Sequence, residues 1–560
     1  MVHPDGDVTA SSGAAVAAAE RARKPWWRFP HNPPSGEVAP VDASSAVNGR
    51  RLSLAAPIVA AVVGIVGILL GWRGVDLPAQ IYRVSLFHRH GLTLWDSQWY
   101  GGHFTLNYSV IFPPIAGVLG VGVTAVLSAA AAAWAFDWLV IRHFGPPARF
   151  GSLVFALGTV VQIAIGQLPF LMGEAFALGA CWAATRRRWP LAVALAVATS
   201  LASPLAGAFL GLAAVSWLLA SWPRHRLGII LLAAGVTLPV VLAAVLFPGQ
   251  GAFPYPGTDF ALELAVCIGV WLIIPRRERA LRTAGRLYVV AMAASFVLPT
   301  PMGGNIGRLG ECFAIPLVAC LLWPLRRWLL VAVAIPLALW QWTPAWGAIT
   351  HNPKDPSAHL PYYQPLVAFL EHHSEPPIRV EVVPTKLHWE VAYVAPTVEL
   401  ARGWERQQDT ARNSLFYTEG ALNATTYRAW LADNGVRYVA LSDATPDYAA
   451  IAEARLVDAG VPGLRLAWRD VHWRVFEVVG APGIVEGPAQ LVSLDGGKAV
   501  LDVTAPGAIL IRIRYTSYWT IVVGSGCLER SPGGWTTVNR AVPGQLELQL
   551  KLVAGTESSC

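Results

Sequence analysis

Two carboxylates in the first long polar stretch of the chain could act as a general base. Asp76 and Asp96 lie within residues 73–108, which are rich in histidine, arginine and aromatic side chains and follow the first apolar run. A positioned carboxylate can accept a proton from a sugar or lipid hydroxyl that attacks an activated anomeric carbon. Asp76, nearest the apolar run, is the first candidate for this role, and Asp96 is the second. A cation would stabilise a departing phosphate, and Arg308 or Arg83 could supply it.

The run WDSQWYGGH (95–103) places aromatic rings beside a carboxylate. The apolar face of a sugar stacks on such rings, while carboxylates and amides bind its hydroxyls. Trp95, Trp99, Tyr100 and His103 are therefore predicted to form a sugar-facing wall. The aromatic belt found at many membrane interfaces would give the same tryptophan and tyrosine content, so that alternative stays open.

Three further acids lie near one end of the apolar segments that carry them: Glu174, Glu263 and Glu311. Burying a carboxylate in lipid is costly, so these groups are expected to face a cavity or the membrane interface. Their shared depth favours a common site with Asp76 and Asp96. The alternative is that each is a solvated helix end.

The block at 379–409 is dense in polar groups for a purely structural segment. Its polar and aromatic side chains could line a roof over the membrane cavity and bind an acceptor glycan: His388, Glu390, Arg402, Trp404, Glu405, Arg406 and Asp409. A solvated α/β surface with internal ion pairs would also account for this composition.

The elements that must position these residues are membrane spans. The chain has 560 residues, of which 54% are hydrophobic and 14% charged, whereas soluble proteins average about 25% charged residues. The apolar runs have the length at which a helix crosses a bilayer. Eleven spans are predicted, at 52–72, 122–141, 149–166, 169–185, 189–203, 205–222, 227–247, 258–274, 284–300, 309–324 and 328–346.

Arginines between these spans predict the orientation. Alternate connections carry two to four arginines, for example Arg186, Arg187 and Arg188, whereas those near residues 167, 204 and 248–257 carry no lysine or arginine. Cytoplasmic loops are enriched in such charges. The N-terminus is therefore predicted to be cytoplasmic, and the first loop (73–121) and the C-terminal part are predicted to lie outside the membrane.

The domain boundaries follow from changes in composition. Residues 1–49 are predicted to be a disordered cytoplasmic tail, and residues 50–347 the transmembrane domain. Strands alternate with helices over 348–485, which predicts an extracytoplasmic α/β domain. Short alternating runs over 486–560 predict an extracytoplasmic β-sandwich.

Other functional classes are disfavoured. The net charge of +7 comes from arginines between spans, so nucleic acid is not expected as a partner. No Cys/His set has metal-ligand spacing, and no phosphate-binding glycine loop or nucleophile elbow has its required context. No cofactor is predicted to be required. Cys527 and Cys560 could form a disulfide in an oxidising compartment.

This layout resembles the GT-C superfamily of membrane glycosyltransferases, whose members share a bundle of spans and a catalytic acid in the first outer loop. The resemblance implies a polyprenyl-phosphate-linked sugar donor. The chain lacks the acidic DxD pair of many members in that loop, which weakens any claim for a metal, so a divalent ion stays an open requirement.

A closer resemblance is to actinobacterial polytopic membrane proteins of unsettled function. It is carried by YRVSLFHRHGLTLWDSQWYGGH (82–103), LPTPMGGNIGRLG (298–310), DPSAHLPYYQPL (355–366), HWEVAYVAPTVELARGWERQQD (388–409) and HWRVFEV (472–478). Such proteins are labelled as MFS transporters or as 6-pyruvoyl-tetrahydropterin synthase-related membrane proteins, and neither label states a mechanism.

The resulting hypothesis is a GT-C-like, multi-pass glycosyltransferase of the bacterial plasma membrane. It would transfer a sugar from a polyprenyl-phosphate donor to an envelope glycan or lipid on the outer face. Two alternatives remain: a non-catalytic envelope assembly protein, and a transporter. A transporter of the major-facilitator type would have both termini inside and polar residues at the midplane, unlike the pattern predicted here.

Overall fold

The computed structural model describes residues 54–220, 225–249, 251–323 and 326–552. The predicted tail (1–49) and Cys560 lie outside the described residues, so the tail and the Cys527–Cys560 pairing stay predictions. The helices of the first part are α1 Ala55–Leu69, α2 Leu77–His90, α3 Phe112–Leu119, α4 Val121–Phe144, α5 Arg149–Ile165, α6 Leu168–Thr185, α7 Trp189–Ala202, α8 Pro204–Ala220, α9 Arg226–Leu246, α10 Gly257–Ile273, α11 Arg279–Val297, α12 Arg308–Leu322 and α13 Arg327–Thr350.

A helix lies at each of the eleven predicted span positions. Among the described residues, seven helical segments are long and apolar enough to cross a membrane by length and composition. They correspond to α4, α5, α6, α9, α11, α12 and α13. The helices α1, α7 and α8 are apolar but shorter, and α10 carries Asp259 and Glu263. These helices support an integral membrane protein, while the count of eleven spans stays a prediction.

Small residues allow these helices to pack closely, as is common in membrane bundles. Ala56 and Ala60 of α1 are buried against alanines of α4 and α5. A Cβ added at Gly151 of α5 would lie 2.2 Å from the Cys320 sulfur and 2.7 Å from the Pro316 carbonyl oxygen. The close packing of α5 against α12 therefore depends on Gly151. The end of α5 and the start of α12 carry parts of the candidate site described below.

Two β structures follow the helical part. The strands of the whole chain are β1 Trp95–Asp96, β2 His103–Phe104, β3 Arg379–Val382, β4 Glu399–Leu400, β5 Val436–Ser442, β6 Leu464–Arg469, β7 Trp473–Val478, β8 Val485–Glu486, β9 Ala489–Asp495, β10 Lys498–Val503, β11 Gly507–Arg514, β12 Trp519–Val523, β13 Cys527–Arg530, β14 Trp535–Ala541 and β15 Gly544–Leu550. The later helices are α14 Leu360–Glu371, α15 Glu390–Tyr393, α16 Arg406–Arg412, α17 Ala424–Asp433 and α18 Ile451–Ala459.

The first β structure is a five-stranded sheet in the order β4-β3-β5-β7-β6. The strands β4, β3 and β5 are parallel, and β7 and β6 join antiparallel. The central strands are covered on both sides, since β3 is buried at every position and β5 at most of its positions. β3, β5 and β7 lie within 348–485, where alternating strands and helices are predicted.

The second β structure consists of two antiparallel four-stranded sheets, β12-β15-β10-β9 and β13-β14-β11-β8. Alternate residues of their strands form one apolar core that includes Leu501, Ile511, Val538 and Leu548. This alternation is the pattern expected of a sandwich. It begins at β8, next to the boundary predicted at residue 486.

Candidate functional site

Asp76 immediately precedes α2 and is held against the end of α5. Its backbone N–H donates to the Ile165 carbonyl oxygen at 3.0 Å. A Cβ at Gly166, whose φ is +93°, would lie 2.3 Å from the Leu77 nitrogen. A Cβ at Gly74 would lie 2.0 Å from the Ile165 carbonyl oxygen. Both glycines are therefore required for the close approach that fixes Asp76.

Arg308, the first residue of α12, is the partner of this carboxylate. Its Nη2 lies 3.7 Å from Asp76 Oδ2, and both side chains are mostly buried. Burial raises the pKa of Asp76 above its usual value, while the charges of Arg308 and His388 oppose the rise. A carboxylate with a raised pKa is a stronger proton acceptor when it is ionised, as a general base requires.

An apolar cavity of about 360 Å³ lies among the membrane helices beside this pair. Phe170, Leu309 and Gly310 are among its lining residues. The Arg308 guanidinium lies 5.7 Å from the centre of the Phe170 ring. The ionic pair and the apolar cavity are therefore adjacent, a combination suited to a ligand with a charged head and an apolar chain.

The three predicted acids of the spans have different surroundings. Glu174 is buried, lines the cavity and accepts a hydrogen bond from Gln162 at 2.8 Å. Glu263 accepts from the Tyr255 hydroxyl at 2.5 Å and lies against Gly307, where a Cβ would be 2.2 Å from its Oε1. Glu311 lies within the first turn of α12. All three thus lie close to Arg308 or to the cavity.

Part of the polar block at 379–409 lies over this site. The Trp404 indole N–H donates to the Val75 carbonyl oxygen at 3.1 Å, next to Asp76. The Tyr108 ring meets the Trp404 ring edge-on at 5.9 Å, and the Arg83 guanidinium lies 3.9 Å from the Tyr108 ring centre. Arg83 also pairs with buried Glu405 at 2.6 Å. These contacts attach the C-terminal domain to the first loop.

His388 is a strained and charged residue of the same roof. Its φ of +57° is in the left-handed region, which non-glycine residues adopt rarely and often at functional sites. Its Nε2 lies 3.3 Å from Asp447 and its Nδ1 lies 3.4 Å from Glu390. Burial opposes protonation, but the two carboxylates outweigh it and raise the pKa of His388 to about 9. His388 therefore carries a positive charge that acts on Asp76.

Sequence reasoning missed Asp447, which fixes His388 and also pairs with Arg406 at 2.9 Å. Asp447 follows β5 in a turn and its backbone N–H donates to the Pro384 carbonyl oxygen at 2.8 Å. The position after a β-strand was the signal that could have pointed to it, because loops at strand ends often carry functional groups.

The structure does not bring Arg402 to this site. Arg402 is buried inside the α/β domain and pairs with Asp409 at 2.7 Å and with Glu453 at 2.9 Å. Its guanidinium also lies 4.0 Å from the Phe416 ring centre. Arg402 therefore belongs to an internal ionic network that joins α16 and α18.

The run 95–103 is buried at the junction of three parts of the chain. Leu400 of β4 accepts from the Tyr100 N–H at 3.2 Å and donates to the Gln98 carbonyl oxygen at 2.8 Å, which adds the run to the edge of the five-stranded sheet. The Gly101 carbonyl oxygen accepts from the Arg514 N–H of the sandwich at 2.7 Å. Trp95, Trp99, Tyr100 and His103 are all at most 3% exposed.

Asp96 and His103 share this burial. Both oxygens of Asp96 are within hydrogen-bond distance of the Tyr82 hydroxyl, and His103 Nε2 lies 3.9 Å from both Asp96 and Glu405. Burial lowers the pKa of His103 below its usual value despite these carboxylates. The aromatic run is therefore buried at the interface between the first loop, the five-stranded sheet and the sandwich. Of the two predicted bases, Asp76 is 14% exposed and Asp96 is 2% exposed.

No group of three or more His, Cys, Asp or Glu side chains within the described part of the chain is arranged to hold a metal ion. Asp447, which contacts His388, is also paired with the Arg406 guanidinium. The arrangement around Asp76 instead combines one carboxylate, 14% exposed, with two cations.

No family model matches the chain, and no curated protein matches it. The chain is similar in structure to the arabinofuranosyltransferase AftD from Mycobacteria, with 15% sequence identity and a TM-score of 0.44. The match covers 80% of this chain and 40% of the AftD chain, so the protein spans well under half the length of that structure.

Proposed function

We propose that the protein is a membrane glycosyltransferase in which Asp76 is the general base. The observation that carries the proposal is the Asp76–Arg308 pair, 3.7 Å apart, beside an apolar cavity of about 360 Å³. A scaffold would not need a partly accessible carboxylate and cation at that place. A transporter would need polar groups along its path, whereas Glu174 is the one charged side chain among the described residues that line the cavity.

The proposed donor is a sugar linked to a polyprenyl phosphate. Its isoprenoid chain would occupy the apolar cavity, where burial is favourable by about 25 cal/mol per Å² of apolar surface. Its phosphate would lie at Arg308, because a guanidinium presents five N–H donors and one carboxylate does not use them all. His388 would add a second positive charge above the same point.

The proposed reaction is a displacement at the anomeric carbon. Asp76 takes the proton from an acceptor hydroxyl, and the hydroxyl oxygen forms a bond to that carbon. The bond between the carbon and the phosphate oxygen breaks, and the polyprenyl phosphate leaves with its charge stabilised by Arg308 and His388. Fixed cations at the point where charge develops lower the barrier because they need no reorganisation.

The acceptor is proposed to be a glycan or lipid of the cell envelope on the outer face. Arginine alternation supports this sidedness, since it predicts that 73–121 and the C-terminal part lie outside. The roof formed by Trp404, Glu405 and His388 leaves polar and aromatic groups near Asp76, which suits a hydroxylated substrate. The proposed location is a bacterial plasma membrane.

The test is transfer of labelled sugar from a polyprenyl-phosphate-sugar extract of the native membranes to an envelope-glycan fraction. The protein would be purified at full length in lipid nanodiscs. Asp76→Asn should lower the rate by about 100-fold or more, the usual contribution of a general base, with unchanged thermal unfolding. Asp259→Asn, at an exposed carboxylate of α10, should retain full activity. Full activity of Asp76→Asn would reject Asp76 as the base.

A further inference from the structure

We propose a second binding site, specific for a neutral saccharide, in a polar cleft between the end of α13 and the five-stranded sheet. The cleft has a volume of about 660 Å³. It lies apart from the apolar cavity, and the two share no lining residue. The side chains that define it are Trp346, Lys354, Asp355, Tyr362, Asp443 and His472.

A preorganised carboxylate is the central feature of this cleft. The Tyr362 hydroxyl donates to Asp443 Oδ1 at 2.6 Å, and His472 Nδ1 lies 3.0 Å from Oδ2. The Tyr362 oxygen in turn accepts from the Ala444 N–H at 3.1 Å. The Asp443 side chain is nonetheless 56% exposed. Each carboxylate oxygen keeps a lone pair, so Asp443 can accept hydrogen bonds from two hydroxyls of a ligand.

Aromatic surface lies on the same cleft. Trp346, where the predicted span 328–346 ends, is 64% exposed. The half-buried His472 ring lies 4.7 Å from the Tyr362 ring, which is itself buried at 5% exposure. An indole at that place can pack against the apolar C–H face of a sugar while its N–H stays hydrated. An exposed ring beside a fixed carboxylate is the arrangement that a pyranose or furanose unit requires.

The charge of the cleft selects a neutral ligand over an anionic lipid headgroup. Counting histidines as neutral, the lining carries one cation, Lys354, against two carboxylates, Asp355 and Asp443. A phosphate would meet a net negative charge. A sugar hydroxyl would instead accept a hydrogen bond from the Lys354 ammonium or donate one to either carboxylate. Phospholipid binding is therefore an outcome to be excluded by experiment.

Two hydrogen bonds link the surroundings of the cleft to the surroundings of Asp76. Asn352, next to the cleft, donates from its side chain to the Arg73 carbonyl oxygen at 2.8 Å. The Thr445 carbonyl oxygen accepts from the Lys386 N–H at 2.8 Å, two residues before His388. If the proposed function holds, on which this assignment of the ligand rests, the cleft would bind a part of the acceptor glycan remote from the reacting hydroxyl.

The experiment measures binding directly and does not depend on transfer. Full-length protein in nanodiscs is applied to a printed array of neutral and anionic oligosaccharides, and the retained neutral probes are titrated by interferometry. Asp443→Ala and Trp346→Ala should each weaken binding at least 10-fold. The controls are Asp502→Ala, an exposed carboxylate of the sandwich, and Trp328→Ala, an 86% exposed tryptophan at the other end of α13.

The outcomes separate this proposal from the proposed function. Asp76→Asn should bind the same oligosaccharides as the wild type even though it does not transfer sugar. Asp443→Ala should raise the KM for a long acceptor without changing kcat. The saccharide site would be overturned if no neutral oligosaccharide were retained or if all variants bound equally. It would also be overturned if glycerol phosphate, and not free oligosaccharide, displaced the bound probe.

Discussion

The Tyr82 hydroxyl donates to Asp96 inside the protein, 2.8 Å and 2.9 Å from its two carboxylate oxygens. Asp96 also accepts from the Gln98 N–H at 3.0 Å, and its side chain is 2% exposed. A carboxylate bonded in this way holds a loop in place. It cannot reach a substrate unless these hydrogen bonds break. We therefore assign it a structural role in the α2–sheet contact.

The first prediction is that Asp96→Ala destabilises the protein more than it impairs chemistry. Two buried donors would lose their acceptor, at a cost of about 1–3 kcal/mol each. Unfolding by denaturant in nanodiscs should shift accordingly, while kcat of the remaining folded protein should fall less than threefold. A kcat loss equal to that of Asp76→Asn, with unchanged stability, would instead place Asp96 in the chemistry.

A double variant provides the control for this prediction. Tyr82→Phe removes the donor that Asp96→Ala leaves unpaired, so the double variant should be more stable than the sum of the single effects implies. Additive effects would show that the 2.8 Å contact does not couple the two residues.

Much of the helical part could be predicted from sequence because its signal is local. Runs of apolar residues bounded by arginine fixed the positions of the eleven helices, and β3, β5 and β7 lie where branched residues cluster. The fate of the aromatic run could not be predicted, because Trp99 is buried by Leu400, three hundred residues later in the chain. The local sequence does not distinguish a tryptophan buried between two domains from one that faces a sugar.

The site was predictable in part for the same reason. Asp76 and Arg308 were recognisable as charged residues next to apolar spans, where such groups are rarely without function. Asp447 was not recognisable, since only the fold brings its carboxylate to His388. Arg402 and Asp409 are the opposite case. They lie in a polar stretch that suggested a site, but they pair with each other inside the α/β domain.

The second prediction concerns Arg308. Arg308→Gln should lower kcat/KM for the polyprenyl-phosphate donor by about 100-fold, as expected when a fixed cation no longer stabilises the developing phosphate charge. Arg276→Gln, an exposed arginine between α10 and α11, should have no effect. Steady-state kinetics with varied donor would check this. Unchanged kinetics in Arg308→Gln would remove the phosphate-binding role.

The third prediction concerns the apolar cavity. Ala177→Trp places a large ring in the cavity, so it should raise the KM for a long isoprenoid donor more than tenfold while leaving a short-chain soluble donor unaffected. Ala131→Trp, on an exposed position of α4, should affect neither donor. An equal effect of Ala177→Trp on both donors would indicate a folding defect and not exclusion of the chain.

The fourth prediction is a pH dependence of stability caused by His388. Its folded pKa of about 9 lies above that of an unperturbed histidine, about 6.5, so its protonation stabilises the fold fully below about pH 6.5. This contribution, up to about 3 kcal/mol, is lost as the pH rises through about 9. Denaturant unfolding of the wild type should weaken over that window. His388→Gln should be less stable at pH 6 and should lack this decline.

The last prediction links the same histidine to the reaction through Asp76. The positive charges of Arg308 and His388 oppose the burial that raises the pKa of Asp76, so removing either charge should raise that pKa further. A base works only when it is deprotonated, and the rate therefore falls as the pH drops through its pKa. His388→Gln should shift the acidic limb of kcat/KM to higher pH while leaving Asp76 in place. A limb that stays fixed in His388→Gln would mean that another group titrates, and a shift to lower pH would contradict the sign of the charge acting on Asp76.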